Sequence, residues 1–255
     1  MTLGRRPLVA LGIFVYLAGL FAFVPAGWIA PIFERATGGA AILGDSSGTL
    51  WHGKAALAVR SGGLYQRLAN IEWRCNPLWL VTGRAHFTIT GSAPDTDISA
   101  AISAGTSGVR IDDLKAVASA SVVESVLPAL GFVGPEGRLR VHATGLEITR
   151  MTVRGAATVE WENAGLRKWQ WSDLGDYRID ATGAGDRADF KLTTLRGDLL
   201  LSGDGVWRPA QPDALQLKGI AENPNGRKDL ELLLRMISGG ATGPRQSFTL
   251  SLPAQ

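Results

Sequence analysis

The chain is short of the residues from which reactive sites are built. Its 255 residues include one cysteine, Cys75, and three histidines, His52, His86 and His142. A single cysteine excludes an internal disulfide, so an exported domain of this chain must hold together by its core. Cys75 itself reads as a small apolar residue buried in a sheet. The histidines have no metal-ligand spacing to one another or to Cys75. Neither a strand-linked Gly-x-Gly-x-x-Gly nor a Walker lysine loop is present, and no cofactor is expected. Charge of one sign is also lacking, with 26 Lys and Arg against 23 Asp and Glu. Because Arg5 and Arg6 precede the first acid, Glu34, the remainder is close to neutral. It offers no electrostatic footprint for nucleic acid.

What is present begins with "LVALGIFVYLAGLFAFV", Leu8 to Val24, extended without charge through Ala30. At 1.5 Å per residue, residues 8–30 span about 35 Å as a helix, enough to cross a hydrocarbon layer. A cleaved signal peptide has a shorter apolar core, and no clear Ala-x-Ala site follows this one. The reading is an uncleaved anchor. Arg5 and Arg6 keep residues 1–7 cytoplasmic and send the rest across the inner membrane to the periplasm. Trp28 lies where an interfacial aromatic is expected.

Beyond the juxtamembrane "PIFERATGGAAI", alternation of period two dominates. "RAHFTITG" sets Ala85, Phe87 and Ile89 against His86, Thr88 and Thr90. "GRLRVHATGLEI", "AATVEWENAG", "YRIDATG", "ADFKLTTL", "GDLLLSGDGVW" and "SFTLSL" continue in the same way. Short alternating runs bounded by Gly, Asn, Asp and Pro predict antiparallel strands with one buried face. The predicted fold is mainly β, a curved antiparallel sheet or incomplete barrel over residues 40–255. Two similar β-units, 45–110 and 135–253, are suggested by a loose internal repeat. One segment departs from alternation. "DDLKAVASASVVESVLPALG" spaces Leu114, Val117, Val122, Val126 and Leu130 near a helical period. This predicts a short broken helix over 112–130, capped by Asp112 or Asp113, with a Ser121/Glu124 capping box and a stop at Pro128 or Gly131.

"GDSSG", Gly44 to Gly48, suggests a nucleophile at Ser46 and does not support one. In the trypsin-like motif a glycine stands where Ser47 is, and the histidine and aspartate precede the serine. Here no histidine precedes Ser46. The Gly-Asp-Ser-Leu esterases carry a late Asp-x-x-His. The residues three before the histidines are Thr49, Gly83 and Leu139, and no histidine follows His142. Without a base there is no activated serine. Asp45 to Gly48 is read as a turn leading into a strand near Thr49, with Ser46 as a turn residue. Asp112-Asp113 are better helix caps than a metal pair. Asp173, Asp176, Asp180, Asp186 and Asp189 read as solvated turn residues.

Tryptophan is the more informative residue. Eight are present, and "WQW" places Trp169 and Trp171 on one face of a strand. They either fill the core between sheet and helix or form an exposed patch for a protein or lipid partner.

Several stretches together resemble one family. "VPAGWIA", "SGTLWHGKA" and "IEWRCNPLWLVTGRA" are followed in order by "LPALGFVGPEGRLRV", "RGAATVEW", "LGDYRIDATG" and "LLLSGDGVW". This pattern is similar to protein N of the type II secretion system. Its signature here is Gly48, Thr49, Leu50, Trp51 and Gly53, followed by Trp73 and Pro77. The resemblance implies a non-enzymatic accessory subunit anchored in the inner membrane of a Gram-negative bacterium. Its implied partners are the inner-membrane platform proteins and the outer-membrane secretin that export folded proteins. No catalytic residues come with it. The alternative reading is a periplasmic protein that binds lipid in a β-groove.

Overall fold

Alternation of period two puts successive side chains on opposite faces, so each alternating run can bury one face only by joining a sheet. In the computed structural model, residues 13, 15–16, 19–61, 63–106, 108–126, 133–239 and 243–252 are described. Thirteen strands form: β1 (Ala41–Gly48), β2 (His52–Ser61), β3 (Leu64–Asn76), β4 (Arg84–Ala93), β5 (Thr96–Gly105), β6 (Gly108–Ser119), β7 (Pro135–Ile148), β8 (Val153–Leu166), β9 (Trp171–Gly185), β10 (Ala188–Arg196), β11 (Leu200–Arg208), β12 (Gln211–Glu222) and β13 (Arg245–Leu252). They make one antiparallel sheet whose spatial order is the sequence order. Each strand pairs with its chain neighbours, so every connection can be short. The ladder runs unbroken from β6 to β7, through the gap between the two expected β-units. β1 and β13 are its edges, and the sheet is open.

Register assigns the faces. Ile71, Trp73 and Cys75 of β3 oppose Gly91, Ile89 and Phe87 of β4, which oppose Ile98, Ala100 and Ile102 of β5. The same apolar face continues through Leu114, Val141, Val159, Ile179 and Leu192. The opposite face carries charge, with Arg140 2.9 Å from Glu162 and Arg178 2.6 Å from Glu160. These surface pairs contribute little to stability, about 0–1 kcal/mol each. The sheet is held by its ladder and its apolar side.

Helices cover the two ends of that side. Helix α1 (Ile29–Ala36) lays Ile29, Ala30 and Phe33 on a cluster of Leu43, Ala55, Ile71 and Trp73. At the far end, a longer helix (Lys228–Ile237) packs Leu230, Leu233 and Leu234 against Leu166, Leu174, Leu199 and Ala221, with Phe248 beside them. Its sequence carries the signals of a helix: leucines at i, i+3 and i+4, Asp229 and Glu231 in the first turn, and Arg235 in the last. It was not anticipated above, because strand alternation precedes and follows it.

The helix expected over 112–130 is a correction. Residues through Ser119 belong to β6, an interior strand bonded to both β5 and β7. Leu114, Ala116 and Ala118 fall on one face and Asp113, Lys115 and Val117 on the other, so period two describes the segment better than the helical spacing. Asp112 sits at a bulge opposite Ala101 and Ile102, not at a cap. Only a 3-10 turn (Ala120–Val122) and the four-residue α2 (Val123–Val126) are helical, and residues 127–130 lie outside those described. The Ser119 hydroxyl accepts from the Ser121 amide, and Glu124 pairs with Arg167 at 3.3 Å instead of closing a capping box. The far helix (Lys228–Ile237) is α3.

Of the uncharged run, residues 8–12, 14, 17 and 18 lie outside those described, as do residues 1–7. Among the described residues no helix is long and apolar enough to cross a membrane.

Leu234 is 1% exposed under α3. Leu234→Ala leaves a cavity there and is expected to lower unfolding free energy by about 2–5 kcal/mol, as read by urea denaturation of the detergent-solubilised chain.

Candidate interaction site at the β1–β2 turn

Six of the seven motif residues, all but Pro77, converge on one place. The turn lies at residues 49–52, not at 45–48 as the sequence suggested. β1 runs on through Asp45, Ser46 and Ser47 to Gly48, with a bulge between Gly44 and Ser47 where two residues oppose one. Asp45 takes φ 49° in that bulge, so its turn-forming character is used inside a strand. Ser46 has no hydrogen-bonded histidine among the described residues.

Gly48 and Gly53 face each other and close the turn. Both positions require glycine. Gly48 has φ 87°, and a Cβ there would stand 2.5 Å from the His52 carbonyl oxygen. A Cβ on Gly53 would stand 2.3 Å from Cζ2 of Trp73, whose indole occupies the space beside that glycine. Trp73 is 3% exposed and donates its Nε1–H to the Leu50 carbonyl at 3.1 Å. The Thr49 amide donates to the His52 carbonyl at 2.9 Å, and the His52 amide donates back to the Thr49 hydroxyl at 3.2 Å. The Trp51 carbonyl accepts from the Cys75 amide at 2.7 Å.

The other side of the turn holds the chain that leaves the apolar run. The Leu50 amide donates to the Val24 carbonyl at 2.8 Å, and Pro25 bridges Thr49 in antiparallel fashion. Trp51 donates its Nε1–H to the Phe21 carbonyl at 2.8 Å and sets its ring 4.5 Å from the ring of Phe21. A short 3-10 turn, Ala26–Trp28, then leads into α1, with Ala26 buried beneath it. Gly48, Thr49, Leu50, Trp51, Gly53 and Trp73 thus form one joint between the N-terminal segment and the sheet. Pro77 stands apart and exposed, opening a 3-10 turn (Pro77–Thr82) after β3, where its fixed φ suits the first position. Cys75 is buried on the face of Trp73, and burial pushes its thiol pKa up.

Trp169 and Trp171 lie at the far end. They do not share a strand: Trp169 ends a 3-10 turn, Gln170 is left-handed at φ 56°, and Trp171 opens β9. The kink stacks the rings, with centroids 5.6 Å apart. Both are half-buried and pack against the α3 cluster, so they serve the core while keeping one side in solvent. Nearby, Arg196 bonds Asp176 at 2.9 Å and reaches Asp173 and Asn163. The Arg196 bond, with the Asn163 amide behind it, holds the Asp176 carboxyl below the usual range. Asp176 is therefore a structural acceptor and not the free turn carboxylate the sequence suggested. Tyr177, buried beside it, donates to the Leu174 and Leu199 carbonyls, and burial raises its pKa.

One cluster escaped the sequence reading because its members lie on three strands. The Ser103 hydroxyl is 2.8 Å from Nδ1 of His86 and donates to Asp112 at 3.1 Å. Here serine lies between histidine and aspartate. Its single proton goes to Asp112, so it accepts from His86, which then cannot act as its base. A nucleophilic triad needs the histidine in the middle. Asp112 is held below the usual range first by Arg110 and then by Ser103. Among the described residues no group of three or more His, Cys, Asp and Glu is placed to hold a metal ion.

A family model for type II secretion system (T2SS) protein N matches residues 41–246, from the first residue of β1 into β13. The chain belongs to the type II secretion system protein N family. This makes it an accessory component of type II secretion, and the family is not one of known enzymes. No curated protein and no solved structure matches it. The family match starts seventeen residues after Val24 by sequence position, so the joint connects the family domain to a segment outside the match.

Gly53→Ala is expected to destabilise the joint by about 1–3 kcal/mol, because Trp73 and the Thr49 carbonyl leave no room. Gly27→Ala, with nothing within 4 Å of its Cβ, is expected to be near neutral. Limited proteolysis between residues 20 and 40 reads the difference: faster cleavage in Gly53→Ala only.

Proposed function

We propose that this chain is a non-enzymatic accessory subunit held at the inner membrane by the N-terminal part of residues 8–30, with Ala26, Ile29 and Ala30 of that stretch packed on the sheet. Its N-terminus lies in the cytoplasm, and residues 40–255 form a periplasmic domain that makes contacts for the export of folded proteins. Membership of the protein N family supplies the secretion assignment. The observation that carries the rest is the joint: Leu50 and Trp51 are bonded to Val24 and Phe21, at the end of the apolar stretch Leu8 to Val24. Trp28 and Ile32, 69% and 65% exposed, project from the same end. Apolar side chains so exposed beside a 23-residue uncharged stretch suit an interface with lipid. A joint of this kind transmits the position of an anchor to a sheet, which a floppy tether would not do.

Two surfaces suit protein partners such as the platform proteins and the secretin. β13 has a free edge whose main-chain groups can accept an added strand, and its outward side chains Ser247 and Thr249 are polar and exposed. The stacked Trp169 and Trp171 offer aromatic area on the same half of the sheet.

Deleting the gene is expected to leave enzymes normally secreted by this route in the periplasm, and the tagged chain is expected to co-purify with platform components. Normal secretion together with purification of the chain alone would contradict the assignment.

A further inference from the structure

Among the described residues, α1 and α3 cover the two ends of the apolar face and α2 reaches β2 at one rim, and the middle is left without a covering helix. Ile98, Ile102, Leu114, Val141, Leu146 and Val159 all point to the face that α1 and α3 cover elsewhere. All six are half-buried, and none belongs to the clusters under either helix. They lie on β5 to β8. At 4.7–4.9 Å between neighbouring strands, the bare strip between β4 and β9 is about 24 Å across. Small residues make its floor: Ala100 and Ala143 are 5% and 2% exposed among these larger neighbours. From Phe87 to Trp161 no charged side chain falls on this face among the described strand residues, whereas the opposite face alternates acids and bases. An antiparallel sheet with one solvated side normally packs its apolar side on a core, and uncovered apolar patches of this extent mark a binding surface.

We propose that this strip binds the acyl chains of a membrane phospholipid. Three observations select that occupant. Every strand here is bonded on both sides, so the strip has no free backbone edge with which to fix a peptide. Apart from the buried hydroxyl of Thr96 at the start of β5, its side chains offer no hydrogen-bonding group, so whatever covers it must be satisfied by apolar contact, as hydrocarbon is. The strip is also continuous with the α1 cluster, through Phe87 and Ile89, and α1 is joined through Pro25 to the uncharged run. The bilayer is therefore the nearest source of chains. This last step rests on the anchored reading above, and the first two do not.

The test replaces Val141 by the photoreactive p-benzoylphenylalanine in the full chain and irradiates intact membranes. Intact-mass analysis of the purified product then identifies what was attached. Val159 serves as a second position should the first variant not accumulate, and Trp28 and His142 serve as references. The expected result is an adduct of phospholipid mass at 141 or 159, and none at His142 on the polar face. A cross-link from 141 and 159 to protein, whether a segment of this chain, a second copy or a partner, would overturn the proposal, as would no adduct at either position. A lipid adduct at Trp28 but not on the strip overturns lipid binding alone, while absence of lipid at Trp28 overturns the anchored reading.

Discussion

The Trp73 indole lies on Gly53 and donates to the Leu50 carbonyl, and this contact sets the position of everything N-terminal to the sheet. Once Leu50 is fixed, its amide can hold Val24 and the neighbouring Trp51 can hold Phe21. Once Val24 and Pro25 are fixed, Ala26 is buried and α1 must lie along β1 over Leu43 and Ala55. The chain of dependence explains why two glycines face each other at the mouth of the turn. A side chain at either would push apart the strands that present Trp73 and Leu50. The turn from Gly48 to Gly53, with Trp73, is thus a mechanical part, and its chemistry is that of packing and main-chain hydrogen bonds.

The sheet poses a different problem. Thirteen strands paired in chain order bury their backbone polar groups easily, but a single layer buries only what something else covers. α1 and α3 solve this at the ends, where Trp73, Leu230 and Leu234 are buried. The middle strands keep the same apolar alternation, and among the described residues neither α1 nor α3 lies over them. That arrangement makes sense for a protein whose working state includes another apolar phase. It also explains why the ionic side of the sheet, with pairs such as Arg140 and Glu162, adds solubility more than stability.

Much of this architecture was legible in the sequence. Strand alternation was strong in segments such as "RAHFTITG" and "YRIDATG", because one face is apolar along nearly the whole sheet. Residues 112–119 misled because Leu114 and Val117 also fit a helical period. Pairing on both sides of β6 decided in favour of a strand, and pairing is non-local. α3 was missed although "KDLELLLRMI" carries its own helical signals. The motif residues could be named from the sequence but their role could not. That Gly53 lies under Trp73, twenty residues away, follows from the β2–β3 register, and that Leu50 holds Val24 follows from an isolated bridge no periodicity announces. The Ser103, His86 and Asp112 cluster was hidden for the same reason.

The central claim is that the β1–β2 turn is a rigid joint to the segment ending at Val24. Amide hydrogen exchange of the full chain in detergent tests it most directly, read at Leu50, Thr49 and Cys75. The account predicts that the Leu50 amide, at the tip of a turn, exchanges as slowly as amides in the β2–β3 ladder. Exchange of Leu50 at the rate of an open peptide, with β2 and β3 still protected, would contradict it.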